Sequence, residues 1–177
     1  MNKLRPYYPI FKFVAVFSGV YIILSVCYYF YLNQDYSGLN YPDPVTSQVA
    51  YQTQQLLNLT SYEAHVFNTD GHPSVSMYLN KQGVYRVIEG CNAMSVMILF
   101  VSFVLAFAKA WKKTALFIMI GLFLIYIVNV LRLVALAIIK YEYPEYDHIS
   151  HEILFPAVIY GMVILLWLYW IKSPKKS

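Results

Sequence analysis

Apolar residues occur in four long runs along the chain, separated by polar segments of unequal length. The runs cover residues 10–32, 93–108, 114–139 and 153–171. A membrane-spanning helix needs about 20 mostly apolar residues, so the second run is short and the other three are long enough to cross a bilayer. The pattern predicts an all-α integral membrane protein with about four transmembrane helices.

The one long polar segment, residues 33–90, lies between the first two runs. Asp43 and Pro44 precede apolar residues at helical spacing, which favours a helix that begins there. Three stretches with strand-like composition follow, separated by turn residues; they cover residues 63–67, 74–79 and 84–88. The segment therefore predicts a small extracytoplasmic α+β insertion between the first two spans, a helix plus a β-hairpin or meander.

Composition supports a membrane protein made of one domain, residues 1–177. The chain is 59% apolar and 12% charged, whereas soluble domains have about 25% charged residues. The first run lacks the small-residue cleavage site of a signal peptide and is too long for a signal core, so we interpret it as a retained helix. The lipid bilayer is thus a predicted partner.

Basic residues indicate the orientation of the spans, because lysine and arginine concentrate in cytoplasmic loops. Four crossings place most of them on one side, which becomes the cytoplasmic side together with both termini. Those basic residues are Lys3, Arg5, Lys12, Lys109, Lys112, Lys113, Lys172, Lys175 and Lys176. The net charge of +4 therefore reflects topology. It does not indicate nucleic-acid binding, since no basic stripe interleaved with aromatic residues lies outside the membrane.

Arg132 stands out because it lies inside the third apolar run. A charge in lipid is costly and by default marks a functional site. Arg132 precedes the end of the run at Ile139 by seven residues, which places it roughly 10 Å below the outer end of the helix. An ion pair with Glu89 or Asp147 is the structural alternative to a functional role.

A thiol and two imidazoles are predicted at the same outer boundary. Cys91 opens the second span, and His148 and His151 precede the fourth. A thiolate that attacks a carbonyl, an imidazole that transfers the proton and a cation that stabilises the oxyanion together support acyl transfer. Arg132 could instead hold a substrate carboxylate as a bidentate pair.

Simpler interpretations of these residues exist. Cys91 could be an inert thiol or could form a disulfide with Cys27, which also lies near the outer end of its helix. His148 and His151 could ligate a metal, but the His-Glu-x-x-His pattern is absent and no third ligand is evident. We therefore predict no metal and no other cofactor. Asn129 shares a helical face with Arg132 and could orient it or only hydrogen-bond between helices.

The sequence EGCNA around Cys91, the sequence NVLR that ends at Arg132, and His151 resemble the Cys, Arg and His signatures of the exosortase/archaeosortase family. The resemblance covers roughly residues 84–170. It is strongest to the short subtype exosortase F, whose cysteine is followed by Asn-Ala. The chain departs from many exosortases, which carry Ser-Gly after the cysteine and have about twice as many spans.

The resemblance implies a membrane-embedded cysteine protease or transpeptidase that cleaves and sorts surface-destined proteins. Its substrate would be a protein with a C-terminal hydrophobic helix and a basic tail. Cys91 would be the nucleophile, His151 the general acid and base with His148 as the alternative, and Arg132 the substrate-orienting or transition-state cation. The site would face outward from a bacterial inner (plasma) membrane. The acceptor of the acyl group is not implied.

Two other classes of function are compatible with the sequence. A non-enzymatic membrane scaffold or accessory subunit would pair Arg132 with an acid on a partner helix. A thiol redox protein is less favoured, because it needs paired cysteines and Cys27 and Cys91 are far apart in the chain.

Overall fold

A computed structural model describes residues 7–34, 36, 42–69 and 72–173, without the side chain of His151. The described chain is mostly helical and contains one small sheet. Five helices of at least 13 residues are present, and we number them in chain order. They are α1 (Tyr8–Leu32), α2 (Pro44–Asn58), α3 (Met94–Ala106), α4 (Trp111–Glu142) and α5 (Phe155–Lys172).

Three described helical segments are long and apolar enough to cross a membrane. They are α1, α4 and the segment Pro144–Lys172, which ends with α5. Helix α3 is apolar but has only 13 residues, about 20 Å at 1.5 Å per residue, which is shorter than the bilayer core of about 30 Å. The chain is therefore a multi-pass membrane protein, and α3 matches the short second run.

Helix α4 continues into three short helical turns that lead to α5. A 3-10 turn covers Pro144–Tyr146, an α-helical turn covers Asp147–Ile149, and a π-helical turn covers Ser150–Leu154. Lys140 of α4 forms an ion pair with Asp147, with a distance of 2.8 Å between Nζ and Oδ2. This pair ties the end of α4 to the turns.

Between α1 and α3 the chain forms α2 and a three-stranded antiparallel meander. The strands are β1 (Ala64–Asn68), β2 (Val75–Leu79) and β3 (Gln82–Val87), in that spatial order. Each element lies within one or two residues of its predicted position. Asp43 caps α2, because its carboxylate accepts hydrogen bonds from the backbone N–H groups of Val45 and Thr46, both at 3.1 Å.

The inner face of the sheet packs against α2 and the second half of α4. Met77 and Leu79 of β2 are fully buried there together with Ala137 of α4. A neighbouring cluster joins Val49 of α2, Leu133 of α4 and the first residue of α5, and Cys91 packs against it. The sheet, α2, α4 and α5 thus meet at Cys91.

Candidate functional site

Cys91 lies in a tight turn between β3 and α3. It ends a 3-10 turn that covers Glu89–Cys91, and its backbone N–H donates to the carbonyl of Ile88 at 2.8 Å. Ala93, two residues later, has φ of 63° and precedes the first residue of α3. A left-handed non-glycine residue costs about 1–2 kcal/mol, so the turn that presents Cys91 is strained. Such strain concentrates at functional sites.

Asn92 anchors this turn to two other helices. Its side chain is buried, and its Nδ2 donates to the hydroxyls of Tyr28 in α1 at 2.9 Å and Thr46 in α2 at 3.1 Å. Its Oδ1 accepts from the backbone N–H of Met94 at 2.9 Å, which satisfies a donor at the start of α3. The residue after Cys91 therefore fixes the position of the thiol relative to α1, α2 and α3.

Asn129 fixes the other side of the turn. Its Nδ2 donates to the carbonyl oxygen of Cys91 at 2.8 Å. The side chain is buried, and its Oδ1 has no hydrogen-bond partner among the described residues. Asn129 lies one helical turn before Arg132, so the same face of α4 holds the Cys91 backbone and carries the guanidinium.

Arg132 lies well inside α4, ten residues before its last residue Glu142, about 15 Å from the helix end. Its Nε is buried and has no hydrogen-bond partner among the residues that the structure describes. None of the described carboxylates lies within ion-pair distance of it. Asp147, one of the two acids considered as a partner, is paired with Lys140.

Tyr85 of β3 links the insertion to the part of α4 that carries Arg132. Its hydroxyl donates to the backbone carbonyl of Leu133 at 2.9 Å, one residue beyond Arg132. Tyr85 and Cys91 pack against the same buried cluster, which includes Leu133. Burial raises the pKa of Tyr85 above its ordinary value of 10; Cys91 raises this pKa further, whereas Arg132 lowers it. The phenol therefore stays neutral at physiological pH.

The two histidines lie on the turns before α5. His148 is exposed, and its Nε2 lies 3.2 Å from a carboxylate oxygen of Glu152. His151 lies in the π-helical turn, and its side chain is outside the described part of the structure. One helical turn further, Phe155 is buried in the cluster against which Cys91 packs. π-Helical turns inside helices are frequent at functional sites.

Both cysteines are free thiols, so the structure contains no Cys27–Cys91 disulfide. Cys27 is exposed on α1, whereas Cys91 is partly buried. No group of three or more His, Cys, Asp or Glu side chains with metal-binding geometry occurs among the described residues.

Asn129 thus holds a partly buried cysteine, on a strained turn, against the face of a membrane helix that carries Arg132. Arg132 has no carboxylate partner in the described part of the chain. A family model described as transmembrane exosortase matches residues 16–170. The chain belongs to the transmembrane exosortase family. Comparisons with curated proteins and with solved structures each found no match.

Membership in this family supports a general role as a membrane transpeptidase or protease. The matched range includes most of α1 and the whole insertion, and so extends well beyond the region around Cys91, Arg132 and His151 that resembles the family in sequence. In this exosortase the insertion contributes Tyr85 to the cluster against which Cys91 packs.

Sequence reasoning missed Tyr85 and the anchoring contacts of Asn92. Tyrosine is abundant in this exosortase, with 18 residues, and nothing in its spacing distinguishes Tyr85 from tyrosines at the membrane border. Asn92 drew attention only as part of the motif that follows Cys91. Its role depends on contacts with Tyr28 and Thr46, which are distant in sequence.

Proposed function

We propose that this exosortase is a cysteine transpeptidase or protease that cleaves surface-destined proteins at a C-terminal tail signal, on the extracytoplasmic side of the membrane. The observation that carries the proposal is the hydrogen bond from Asn129 to the Cys91 carbonyl, which holds the cysteine turn against the face of α4 that carries Arg132. Arg132 has no carboxylate partner among the described residues. A partly buried cation inside a membrane span is costly and by default marks a functional site.

The state of Arg132 favours a role toward the substrate. An arginine that only stabilised the fold would have a carboxylate within ion-pair distance, because burial of an unpaired charge costs several kcal/mol. A guanidinium without a carboxylate partner among the described residues, on the helix face that holds the Cys91 backbone, can instead stabilise negative charge that develops on a carbonyl oxygen. It can also hold a substrate carboxylate.

The reaction follows from these positions. The thiolate of Cys91 attacks the carbonyl carbon of the scissile peptide bond, and a C–S bond forms while the oxygen becomes an oxyanion near Arg132. The oxyanion collapses, the C–N bond breaks, and the tail leaves as an amine after it accepts a proton. The resulting thioester then passes to water or to an amine or hydroxyl acceptor.

The general acid and base in this proposal is His151, with His148 as the alternative. His151 lies in the π-helical turn one helical turn before Phe155, and Phe155 packs in the cluster that contacts Cys91. His148 is exposed and already interacts with Glu152, which makes it the weaker choice. Either imidazole would take the thiol proton and later deliver it to the leaving amine.

The proposed topology has four crossings, with α3 as the short second span and both termini in the cytoplasm. The charge distribution of the sequence supports this orientation. It places Cys91 where a substrate emerges from its own transmembrane tail. A site at that depth meets only peptide bonds next to a membrane anchor, so position contributes to specificity.

The test is tail processing of a co-expressed reporter. The reporter is a folded domain fused to the C-terminal tail of a surface protein encoded near the exosortase gene, with a hydrophobic helix and a basic end. Wild type should release the tail, and Cys91→Ala should not. Cys27→Ala is the matched control, because Cys27 is the only other cysteine and is exposed on α1.

Two further variants test the assigned roles. Arg132→Ala should reduce processing by about 100- to 1,000-fold if the guanidinium stabilises the oxyanion, and His151→Ala should reduce it more than His148→Ala. If Cys91→Ala releases the tail as well as wild type, the enzyme proposal is wrong, and a scaffold in which Arg132 pairs with a partner helix becomes the better account.

A further inference from the structure

Strand β3 forms one edge of the sheet. The spatial order is β1-β2-β3, and β3 pairs only with β2. Strand β1, at the opposite edge, packs against α2. An edge strand presents backbone N–H and C=O groups that can bind another extended chain.

The register identifies which backbone groups of β3 point outward. Two backbone hydrogen bonds join β1 and β2 just beyond their ends, from Thr69 N to Ser74 O and from Asn80 N to Glu63 O. Counted in steps of two residues from these bonded pairs, Ser76 and Tyr78 of β2 also hydrogen-bond toward β1. Residues directly opposite each other in antiparallel strands alternate between bonded and non-bonded pairs. The other residues of β2 therefore bond toward β3.

The partners of Ser76 and Tyr78 in β3 are Arg86 and Gly83, which lie on either side of a one-residue register shift between Met77 and Tyr78. They form the non-bonded pairs, so their own N–H and C=O groups point to the free edge. Both residues are exposed. No described backbone group hydrogen-bonds to either of them from that side.

The free edge leads directly to the nucleophile. Strand β3 ends at Val87 and Cys91 follows after four residues, within the turn that begins at Glu89. Tyr85, between the two outward-pointing residues, packs with Cys91 against the same buried cluster. A chain bound along β3 would thus be guided toward the thiol.

We propose that the free edge of β3 binds the extended segment of the protein substrate that precedes its hydrophobic tail, as a fourth strand of the sheet. This inference rests on the proposed function and adds its recognition site. The ligand is peptide backbone, which the outward N–H and C=O groups of Gly83 and Arg86 recognise. The edge of the sheet can therefore bind substrates of varied sequence. Strand addition of this kind derives affinity from main-chain hydrogen bonds.

The added strand runs parallel to β3. Strand β3 leads through the Cys91 turn into α3, and the substrate likewise continues from its exported domain into its transmembrane helix. With both chains directed into the membrane, the peptide bond beyond the end of the strand reaches Cys91. The hydrophobic helix of the substrate then lies in the bilayer.

Replacement of Arg86 by proline tests the proposal, because proline removes one outward N–H and is tolerated at the edge of a sheet. The reference is Arg86→Ala, which lacks the same side chain but keeps the N–H. With the tail reporter, Arg86→Pro should process about 3- to 10-fold more slowly than Arg86→Ala, as expected for one lost hydrogen bond. Maleimide labelling of Cys91 should be equal in the two variants.

Photocrosslinking provides a second measurement that does not depend on the folding of the proline variant. Benzoylphenylalanine at Arg86 should crosslink to the segment of the reporter before its hydrophobic helix, whereas the same group at Phe67, an exposed residue of β1, should not. Equal processing by Arg86→Pro and Arg86→Ala, or equal crosslinking from both edges, would overturn the inference. Failure of the proposed function is a separate result: Cys91→Ala would then still release the tail.

Discussion

Ala93 provides a quantitative test of the strained turn beside Cys91. It is 6% exposed and has φ of 63°, a conformation in which glycine carries no penalty from a Cβ atom. Many exosortases carry Ser-Gly after the cysteine, which places a glycine at the position that corresponds to Ala93. We therefore predict that Ala93→Gly removes the left-handed penalty of about 1–2 kcal/mol.

Two costs oppose that gain. Loss of one buried methyl costs about 0.8 kcal/mol, and glycine adds about 0.4–1 kcal/mol through the entropy of the unfolded chain. The predicted net change in the free energy of unfolding is therefore close to zero. Ala137 is the matched control, because it is fully buried within α4, and there the same substitution carries both costs without the gain.

The difference between the two variants in the free energy of unfolding measures the left-handed backbone strain at Ala93. Ala137→Gly should destabilise the protein by about 1–2 kcal/mol more than Ala93→Gly. The measurement is reversible unfolding in mixed micelles, titrated with sodium dodecyl sulfate and followed by tryptophan fluorescence. Equal destabilisation by the two substitutions would show that Ala93 carries no left-handed strain and would refute the reasoning.

Three further predictions concern packing and hydrogen bonding. A Cβ on Gly121 would overlap the buried ring of Phe100, so Gly121→Ala should destabilise the protein by about 1–3 kcal/mol in the same assay. Gly19 has open space around it, so Gly19→Ala should not destabilise the protein. Asn92→Ala leaves buried polar groups unsatisfied and should cost about 2–4 kcal/mol, with faster maleimide labelling of Cys91 as its signature. Tyr85→Phe should lower the free energy of unfolding by about 0.5–1.5 kcal/mol through the lost hydrogen bond. The raised pKa of Tyr85 stabilises the fold below pH 10, and this contribution is lost as pH rises through that pKa. In alkaline titration, wild type should therefore lose more stability than Tyr85→Phe.

The sequence pattern predicted the elements of this protein well because the membrane helices are long apolar runs and the elements of the insertion repeat apolar residues with a simple period. The helix that begins after Asp43 has a strong cap and one apolar face, and the strands alternate between turns with clear signals. The length of α4 was underestimated, because Lys140 and Glu142 interrupt the apolar pattern although the helix continues through them. A polar residue at a membrane border does not end a helix.

The site was predictable only in part. Cys91 and Arg132 stood out because a thiol that opens a span and a charge inside a span are rare in lipid. The hydrogen bond from Asn129 holds the Cys91 backbone against the face of α4 that carries Arg132. Tyr85 itself reaches the site through the pairing of β3 with β2 and the packing of the sheet on α4. Those contacts depend on tertiary structure, which no local pattern encodes.

The central claim is that Cys91 forms a covalent acyl intermediate with its substrate. The most direct measurement is mass spectrometry of the exosortase purified after co-expression with the tail reporter and digested to peptides. The account predicts a hydroxylamine-sensitive adduct on the peptide that contains Cys91, present in wild type and in Cys27→Ala, and less abundant in His151→Ala because the imidazole is needed to form it. A reporter that is processed while Cys91 stays unmodified, or an adduct that persists in Cys91→Ala, would contradict it.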